Sequence, residues 1–206
     1  MMRLLLIPAF ALFFLSLAAQ SGDDYAAQIA EFREHYKEEF KADPRAPLKT
    51  DEELAAMRFY PPDPSYRVEA VFVATPEAKP FEMATYSGIT KPYRKYGVLL
   101  FELNGKKLKL AVYESLRLKN MPQFKDHLFL PFKDATNGEE TYGGGRYIDL
   151  SSADIVDGKL VLDFNKAYNP WCCYSDGYSC PIPPTENHLD VPIRAGEMMY
   201  AGEHKH

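Results

Sequence analysis

Two predicted strands that meet at Asn104-Gly105 constrain the fold most strongly. In residues 106–113 apolar and polar side chains alternate with the period of two that places successive side chains on opposite faces of a strand. Residues 97–103, a mostly apolar segment, form the predicted strand before the turn. Because Asn-Gly readily adopts the positive φ angles of a tight turn, the pattern predicts an antiparallel hairpin.

Shorter segments extend this prediction to a whole β domain. The Asp157-Gly158 turn predicts a second hairpin, between residues 153–156 and 159–164. Further strands are predicted at residues 66–75, 81–86, 127–132 and 191–194. Together these are about eight short strands, which is enough for a barrel or a sandwich.

The residues before the predicted sheet show helical patterns instead. Asp23 or Asp24 is placed to cap a helix that runs to about Asp43. Its apolar residues form one stripe, which predicts packing against the main domain, although a partner-binding helix has the same pattern. The stripe consists of Tyr25, Ile29, Phe32, Tyr36 and Phe40.

A second, short helix is predicted from a capping-box pattern at residues 50–53 and is expected to end at Pro61-Pro62. The predicted fold class is therefore α+β, a mainly antiparallel, barrel-like β domain with N-terminal helices. We expect a single domain over residues 21–206. Its helical part covers about residues 23–60 and its β part about residues 64–202.

Residues 1–20 read as a signal peptide. Arg3 is the only charged residue, and a mostly apolar stretch precedes the small residues around Ala18. Cleavage after Ala18 places Ser16 and Ala18 at the two positions that must be small, and cleavage a residue or two later also fits. An uncleaved anchor is the alternative, but the apolar run is shorter than the roughly 20 residues of a membrane span. We therefore predict a bacterial periplasmic or secreted protein with no stable membrane anchor after cleavage.

Charge and motifs narrow the range of functions. The formal net charge is −5 and no basic run is present, which disfavours nucleic acid and anionic lipid as partners. The sequence also lacks a Gly-rich phosphate loop, a nucleophile elbow and a His-Glu-x-x-His zinc motif. No cofactor is assigned from the sequence.

Three segments, residues 132–149, 163–174 and 180–197, are rich in polar and aromatic groups that can line a pocket. We predict that they bind a small molecule such as a carbohydrate or an envelope fragment. Arg146 would anchor a negative group of this ligand. The predicted ligand-binding residues are Asp134, Glu140, Tyr142, Arg146, Asp163, Asn165, Tyr168 and Asn169.

Two other functions fit the same residues. Asp163 or Glu140 is a potential acid or base in a hydrolase with paired carboxylates. Alternatively, the loop carboxylates cap turns, Arg146 pairs with Asp163 or Asp149, and the protein is an interaction module of the cell envelope. An exposed apolar patch, with no pocket beneath the loops, would favour the module.

Histidines give little evidence for a metal site. His188 is the histidine that we would test as a general base. His204 and His206, with Glu203, form a small cluster with the side chains for weak metal chelation, but we interpret it as a frayed, solvated terminus. No metal site is therefore predicted.

Four motifs resemble DUF1684, a bacterial family of unknown function. They are F-x-P-F-x-D-x-T-x-G-x-x-T-Y-x-x-G-R-Y at 129–147, D-F-N-x-A-Y-N-P-x-C-x-Y at 163–174, C-P-x-P-P-x-E-N at 180–187 and R-A-G-E at 194–197. The resemblance covers most of residues 60–200. It implies no established reaction and no functional residue.

The three cysteines, Cys172, Cys173 and Cys180, lie in one short region of a protein predicted to be exported. An oxidising compartment favours a disulfide, and either of the first two can close a small loop with Cys180. The resemblance favours Cys172–Cys180, because both residues fall on cysteines of the family pattern. Cys173 departs from that pattern, which has a small residue such as alanine there.

Overall fold

The computed structural model describes the backbone of residues 11–206 and the side chains of residues 24–206. Within these residues a long helix, α1 (Ala11–Ala42), and a short one, α2 (Asp51–Ala55), precede an antiparallel sheet that curls into a half-barrel. The predicted α+β class is confirmed. Single-turn 3-10 helices occupy several of the connections. The strands are β1 (Arg67–Ala74), β2 (Phe81–Ala84), β3 (Thr90–Leu103), β4 (Lys106–Ser115), β5 (His127–Phe132), β6 (Arg146–Ser151) and β7 (Lys159–Asp163).

The sheet is organised around the predicted hairpin. Its strand order is β6-β5-β4-β3-β1-β7, and β2 pairs with β3 beside this path. Leu103 pairs with Lys106 across the turn, where Asn104 and Gly105 have φ angles of 51° and 75°. Strand β3 has 14 residues, so that one part of it pairs with β2 and another with β1. The first predicted hairpin is therefore confirmed.

The second predicted hairpin is wrong in its first strand. The turn itself forms, since Asp157 and Gly158 both have positive φ angles. However, residues Ser152–Asp154 form a 3-10 helix whose N-cap, Ser151, accepts a hydrogen bond from the Ala153 amide. Only Val156 pairs with Lys159 across the turn, and β7 pairs along its length with β1. Residues 153–155 thus follow local capping and do not form a strand.

Two further differences concern strand positions. Residues 191–194 were predicted as a strand but form irregular structure. Strand β6 was not predicted, and it pairs with β5 through six residue pairs. The glycines immediately before Arg146 are typical of a loop, so the sequence did not predict a strand there. This omission matters, because β6 forms part of the candidate site.

The concave face of the sheet carries the largest hydrophobic core. Alternate residues of the central strands point into it, and the irregular segment after His188 closes it from the other side. Leu110, Leu130 and Leu162 have no exposed surface there. This alternation is the pattern that predicted the strands, so the core follows directly from the sequence.

Helix α1 packs against the domain with its predicted apolar stripe. Ile29 and Phe40 are buried, and the Phe40 ring packs edge-on against Trp171 and Tyr174 at centroid distances of 6.0 and 5.5 Å. The described part of the helix already begins at Ala11, so the predicted cap at Asp23 or Asp24 is wrong. The capping box of α2 is confirmed, but the helix ends at Ala55 and not at Pro61-Pro62.

The predicted signal peptide, residues 1–20, lies outside the described side chains, and residues 1–10 lie outside the description altogether. Among the helices of residues 11–206, none is long and apolar enough to cross a membrane.

Candidate functional site

A cleft of about 920 Å³ lies between helix α1 and the outer face of strands β5 and β6. The loops at residues 118–124 and 166–181 form its remaining walls. Aromatic rings cover much of the surface, and polar groups lie between them. The rings include those of Tyr36, Tyr93, Phe129, Tyr147, Tyr168 and Trp171.

Strand alternation explains why aromatic residues line this face. In β5, Leu128 points into the main core while His127 and Phe129 line the cleft. In β6, Ile148 points into the core, and its neighbours Tyr147 and Asp149 line the cleft. The two strands therefore bury aliphatic side chains on one face and present aromatic and polar ones on the other.

Aromatic packing fixes the floor of the cleft. The Phe129 and Tyr147 rings meet at a centroid distance of 4.8 Å, and the Tyr147 and Tyr168 rings meet at 5.8 Å, both edge to face. Tyr147 also donates a hydrogen bond to the Pro181 carbonyl. These contacts hold the residue 166–181 loop against the sheet and leave the cleft open above it.

One carboxylate orients two other side chains of the cleft. Asp149 accepts hydrogen bonds from His127 Nε2 and from the Tyr168 hydroxyl, both at 2.8 Å. Because Nε2 faces the carboxylate, the proton of a neutral His127 belongs on Nε2 and Nδ1 is left as an acceptor. Burial, followed by the Asp149 charge, holds the pKa of Tyr168 well above its usual value, so its hydroxyl remains a donor.

Two residues of the cleft have a buried polar atom without a hydrogen-bond partner among the described residues. These atoms are His127 Nδ1 and Asn169 Oδ1. The Asn169 side-chain nitrogen is already used, since it donates to the Met198 carbonyl at 2.8 Å. A buried polar atom without a partner costs about 1–3 kcal/mol. Both atoms are acceptors beneath the cleft surface, so they suit a hydroxyl or amine donor that reaches them once neighbouring side chains move.

Positive side chains surround the cleft. Lys166 Nζ lies 5.3 Å from the centroid of the Phe32 ring, and the Arg45 guanidinium lies 5.9 Å from that of Trp171. Lys91 is partly buried, and the loss of hydration lowers its pKa. The cleft therefore combines aromatic surface with cations that attract a negatively charged group.

Arg146, the predicted ligand anchor, has a different environment. It has no exposed surface, and its Nη2 donates to Asp134 Oδ2 and to the Ile193 carbonyl, both at 2.8 Å. Its Nη1 donates to the carbonyls of Ala195 and Glu197 at 2.5 and 3.1 Å. The anchoring role is therefore unsupported, and the expected pairing with Asp163 or Asp149 is replaced by a pair with Asp134. Arg146 holds residues 193–197 against β6.

Glu140 and Tyr142 also make structural contacts. Both Glu140 oxygens accept hydrogen bonds from Arg194, and one accepts from the Tyr60 hydroxyl at 2.9 Å. The Arg194 contact lowers the pKa of Glu140, which argues against a proton-donating role. Tyr142 donates to the Cys172 carbonyl at 3.2 Å.

Asp163 and Asn165 join helix α1 and the start of β1 to the end of β7. Both Asp163 oxygens accept from the Tyr25 hydroxyl, at 2.9 and 3.0 Å. Asn165 bonds the amide and the carbonyl of Asp63. Of the eight predicted binding residues, only Tyr168 and Asn169 line the cleft.

The cysteines lie beside the cleft as three free thiols. The Cys172 amide donates to Cys180 Sγ at 3.2 Å, and Cys180 lines the cleft. The hydrogen bond from the Cys180 thiol lowers the pKa of Cys172, whereas burial raises the pKa of Cys173 to about 12. Cys172 is therefore the most reactive of the three thiols.

His127, Tyr36 and Tyr93 were not selected from the sequence. The alternation of residues 127–132 contained a signal for His127, because it places His127 on the face that the core leucines avoid. The sequence marks Asp149 only as one of several carboxylates at strand ends or in loops. Without strand β6, its pairing position opposite Phe129 was not predictable.

Comparison with known proteins gives a family but no activity. No curated protein matches the chain. The solution NMR structure of an uncharacterised protein of Haloarcula marismortui is similar, with a TM-score of 0.65 and 33% sequence identity. The match covers 87% of this chain and 96% of that one. The family described as "Protein of unknown function (DUF1684)" matches residues 52–198. The chain therefore belongs to the DUF1684 family, as its four sequence motifs predicted.

Proposed function

We propose that this protein is exported and binds a small molecule, such as a carbohydrate or an envelope fragment, in the cleft between α1 and the sheet. The observation that carries the proposal is one cleft lined by aromatic rings in which two acceptors, His127 Nδ1 and Asn169 Oδ1, have no hydrogen-bond partner among the described residues. A ligand with several hydroxyl groups supplies donors for the His127 and Asn169 acceptors. Its ring faces stack on aromatic side chains.

The size and charge of the cleft support the same ligand class. Its volume of about 920 Å³ is within the roughly 300–1,000 Å³ of small-molecule sites. Lys91 and Lys166 lie on its walls and favour a ligand with a carboxylate or another negative group. An acidic sugar derivative of an envelope polymer combines these features.

Trp171 provides a direct test, because it is the single tryptophan of the chain and lines the cleft. The probes are a disaccharide of N-acetylglucosamine and an N-acetylmuramoyl dipeptide, titrated into the mature protein while its fluorescence is recorded. We expect a saturable change with at least one probe, and a matching upward shift of the unfolding temperature. His127→Ala should weaken binding by roughly tenfold, about 1.4 kcal/mol.

His188→Ala is the matched control, since His188 lies outside the cleft and its Nε2 contacts the Pro183 carbonyl. Binding should be unchanged in this variant. If neither probe changes the fluorescence, or if His127→Ala binds as tightly as the wild type, this ligand class is wrong for the cleft.

A hydrolase is the second candidate, with different residues from those expected. Asp163 and Glu140 lie outside the cleft and are held by structural hydrogen bonds. His127, oriented by Asp149 at 2.8 Å, is the better general base. Release of a cleavage product from a bound probe, lost in a folded Asp149→Asn variant, would identify an enzyme. Binding without product supports the binding protein.

An interaction module remains the third candidate. Several apolar side chains of the sheet are exposed at positions that do not line the cleft. Val71 pairs with Leu100, and both are more than two-fifths exposed. Val73 and Val161 extend this strip along β1 and β7. The cleft favours ligand binding over an interaction module, and the module becomes the first candidate if the probes fail.

Export and a Cys172–Cys180 disulfide complete the proposal. The Cys172 amide donates to Cys180 Sγ at 3.2 Å, so the two residues are neighbours, and an oxidising compartment favours their disulfide. Thiol counting on the unfolded, oxidised protein should find one free thiol, and none in Cys173→Ser. Three free thiols in the wild type would rule out the disulfide.

A further inference from the structure

The last residues of the sequence are held against the loop that follows Trp171. Lys205 pairs with Ser175 in a parallel bridge, its amide donates to the Tyr174 carbonyl, and its carbonyl accepts from the Asp176 amide, both at 2.9 Å. The Lys205 ammonium group also bonds the Pro47 carbonyl at 2.7 Å. The backbone of these residues is therefore not frayed, although most of their side chains remain exposed to solvent.

This anchoring brings three metal-ligating side chains together. His204 and His206 flank Lys205, so an extended backbone turns both toward the same side. One ligand atom from each histidine and one from Asp176 all lie within 4.8 Å of one another. His206 Nδ1 lies 3.0 Å from Asp176 Oδ2, and His204 Nε2 lies 3.9 Å from Oδ1.

We infer that Asp176, His204 and His206 form a binding site for a divalent transition metal such as zinc. Zinc binds imidazole nitrogen and carboxylate oxygen at about 2.0–2.2 Å. Ligand atoms on a tetrahedral ion are then roughly 3.3 Å apart, close to the observed separations. Small rotations of the three side chains are enough to close the site. His204 Nε2 gives up only its long contact of 3.4 Å with the Cys172 carbonyl.

The donor set also defines which ions are expected. Two imidazoles and one carboxylate suit zinc, copper, nickel or cobalt, whereas calcium and magnesium prefer oxygen ligands alone. His204 is half-buried, while Asp176 and His206 are exposed, so an ion can reach the site and retain water. A bound ion would fasten the terminal segment to the loop that contains Trp171 and Cys180 and would thus support one wall of the cleft.

The test titrates Co²⁺ and then Zn²⁺ into the full mature protein, purified without a histidine tag. We expect one equivalent of Co²⁺ to bind with visible absorption bands but without the near-ultraviolet band of a cobalt–thiolate bond. Zn²⁺ should displace it and raise the unfolding temperature. His204→Ala, His206→Ala and Asp176→Asn should each weaken binding at least tenfold.

Glu203→Gln is the matched control, because Glu203 belongs to the same segment but not to the cluster. It should bind metal as the wild type does. A thiolate band would instead assign the metal to the cysteines. Unchanged affinity in a His204→Ala, His206→Ala double variant, or no binding at all, would overturn the site.

Discussion

At the scale of single residues, the polar groups of the family-like motifs mainly stabilise the fold. Arg146 and Asp134 form an ion pair without exposed surface on either side chain. Asp134 also accepts from the Ile193 amide at 3.1 Å and from the amide and hydroxyl of Thr136. The pair thus reinforces the backbone hydrogen bonds that already join residues 133–135 to residues 187–191. Removing one partner leaves the other charge buried and unpaired.

Arg146→Met is therefore expected to lower the free energy of unfolding by about 3–5 kcal/mol, measured by urea denaturation. Arg194→Met is the control, since the Arg194–Glu140 pair is exposed and should cost less than about 1 kcal/mol. Equal losses in the two variants would contradict a structural role for Arg146.

Glu197 is the buried carboxyl with the clearest pH dependence. It has no exposed surface, and its oxygens accept hydrogen bonds from the Tyr174 hydroxyl and the backbone amide of Asn169. Burial raises its pKa to about 7 from a usual value of 4.5. Between these values the folded state keeps a proton that the unfolded state has lost.

The stability of the wild type should therefore fall as the pH rises from about 4.5 to 7, by on the order of 3 kcal/mol from this group. Glu197→Gln carries no titrating group, so its stability relative to the wild type should rise over the same range. Urea denaturation of both proteins at pH 5 and pH 7.5 measures this difference. A constant difference would show that the carboxyl is ionised in the folded state throughout.

At the scale of elements, the sequence predicted those parts that depend on local patterns. The β3–β4 hairpin follows from alternation and an Asn-Gly turn, and the cap of α2 from four residues. The pairing of β7 with β1 joins residues about 90 positions apart, so no local pattern contains it. The cleft depends on such pairings, and on packing by α1. Of the predicted binding residues, only Tyr168 and Asn169 therefore lie on its walls.

Helix α1 is expected to be part of the folded domain and not a detachable partner-binding arm. Phe40 is buried between Tyr36, Trp171 and Tyr174. Phe40→Ala should cost about 3–5 kcal/mol in urea denaturation, because it leaves a cavity in this cluster. Phe124→Ala should cost far less, since Phe124 is over a third exposed. A loss in Phe40→Ala no larger than in Phe124→Ala would mean that the helix is docked weakly.

At the scale of the whole molecule, the predicted cleavage position lies within α1 and before the first described contact of that helix with the rest of the domain. The first described hydrogen bond between α1 and the rest of the domain joins Tyr25 to Asp163. Cleavage after Ala18 therefore shortens the helix, whose described part begins at Ala11, but keeps this bond.

We accordingly expect the exported protein to begin at Ala19, which intact-mass measurement of the protein recovered from the periplasm or medium can establish. Ser16 and Ala18 are the small residues that a signal peptidase requires before the cleaved bond. Replacing one of them with a large side chain should therefore retain the precursor. Ala18→Leu is the variant, and Phe13→Leu, which keeps the apolar stretch, is its control. Recovery of uncleaved wild-type chain in the membrane fraction would instead identify residues 4–17 as part of an anchor, and the proposed ligand would then be sought at the membrane surface.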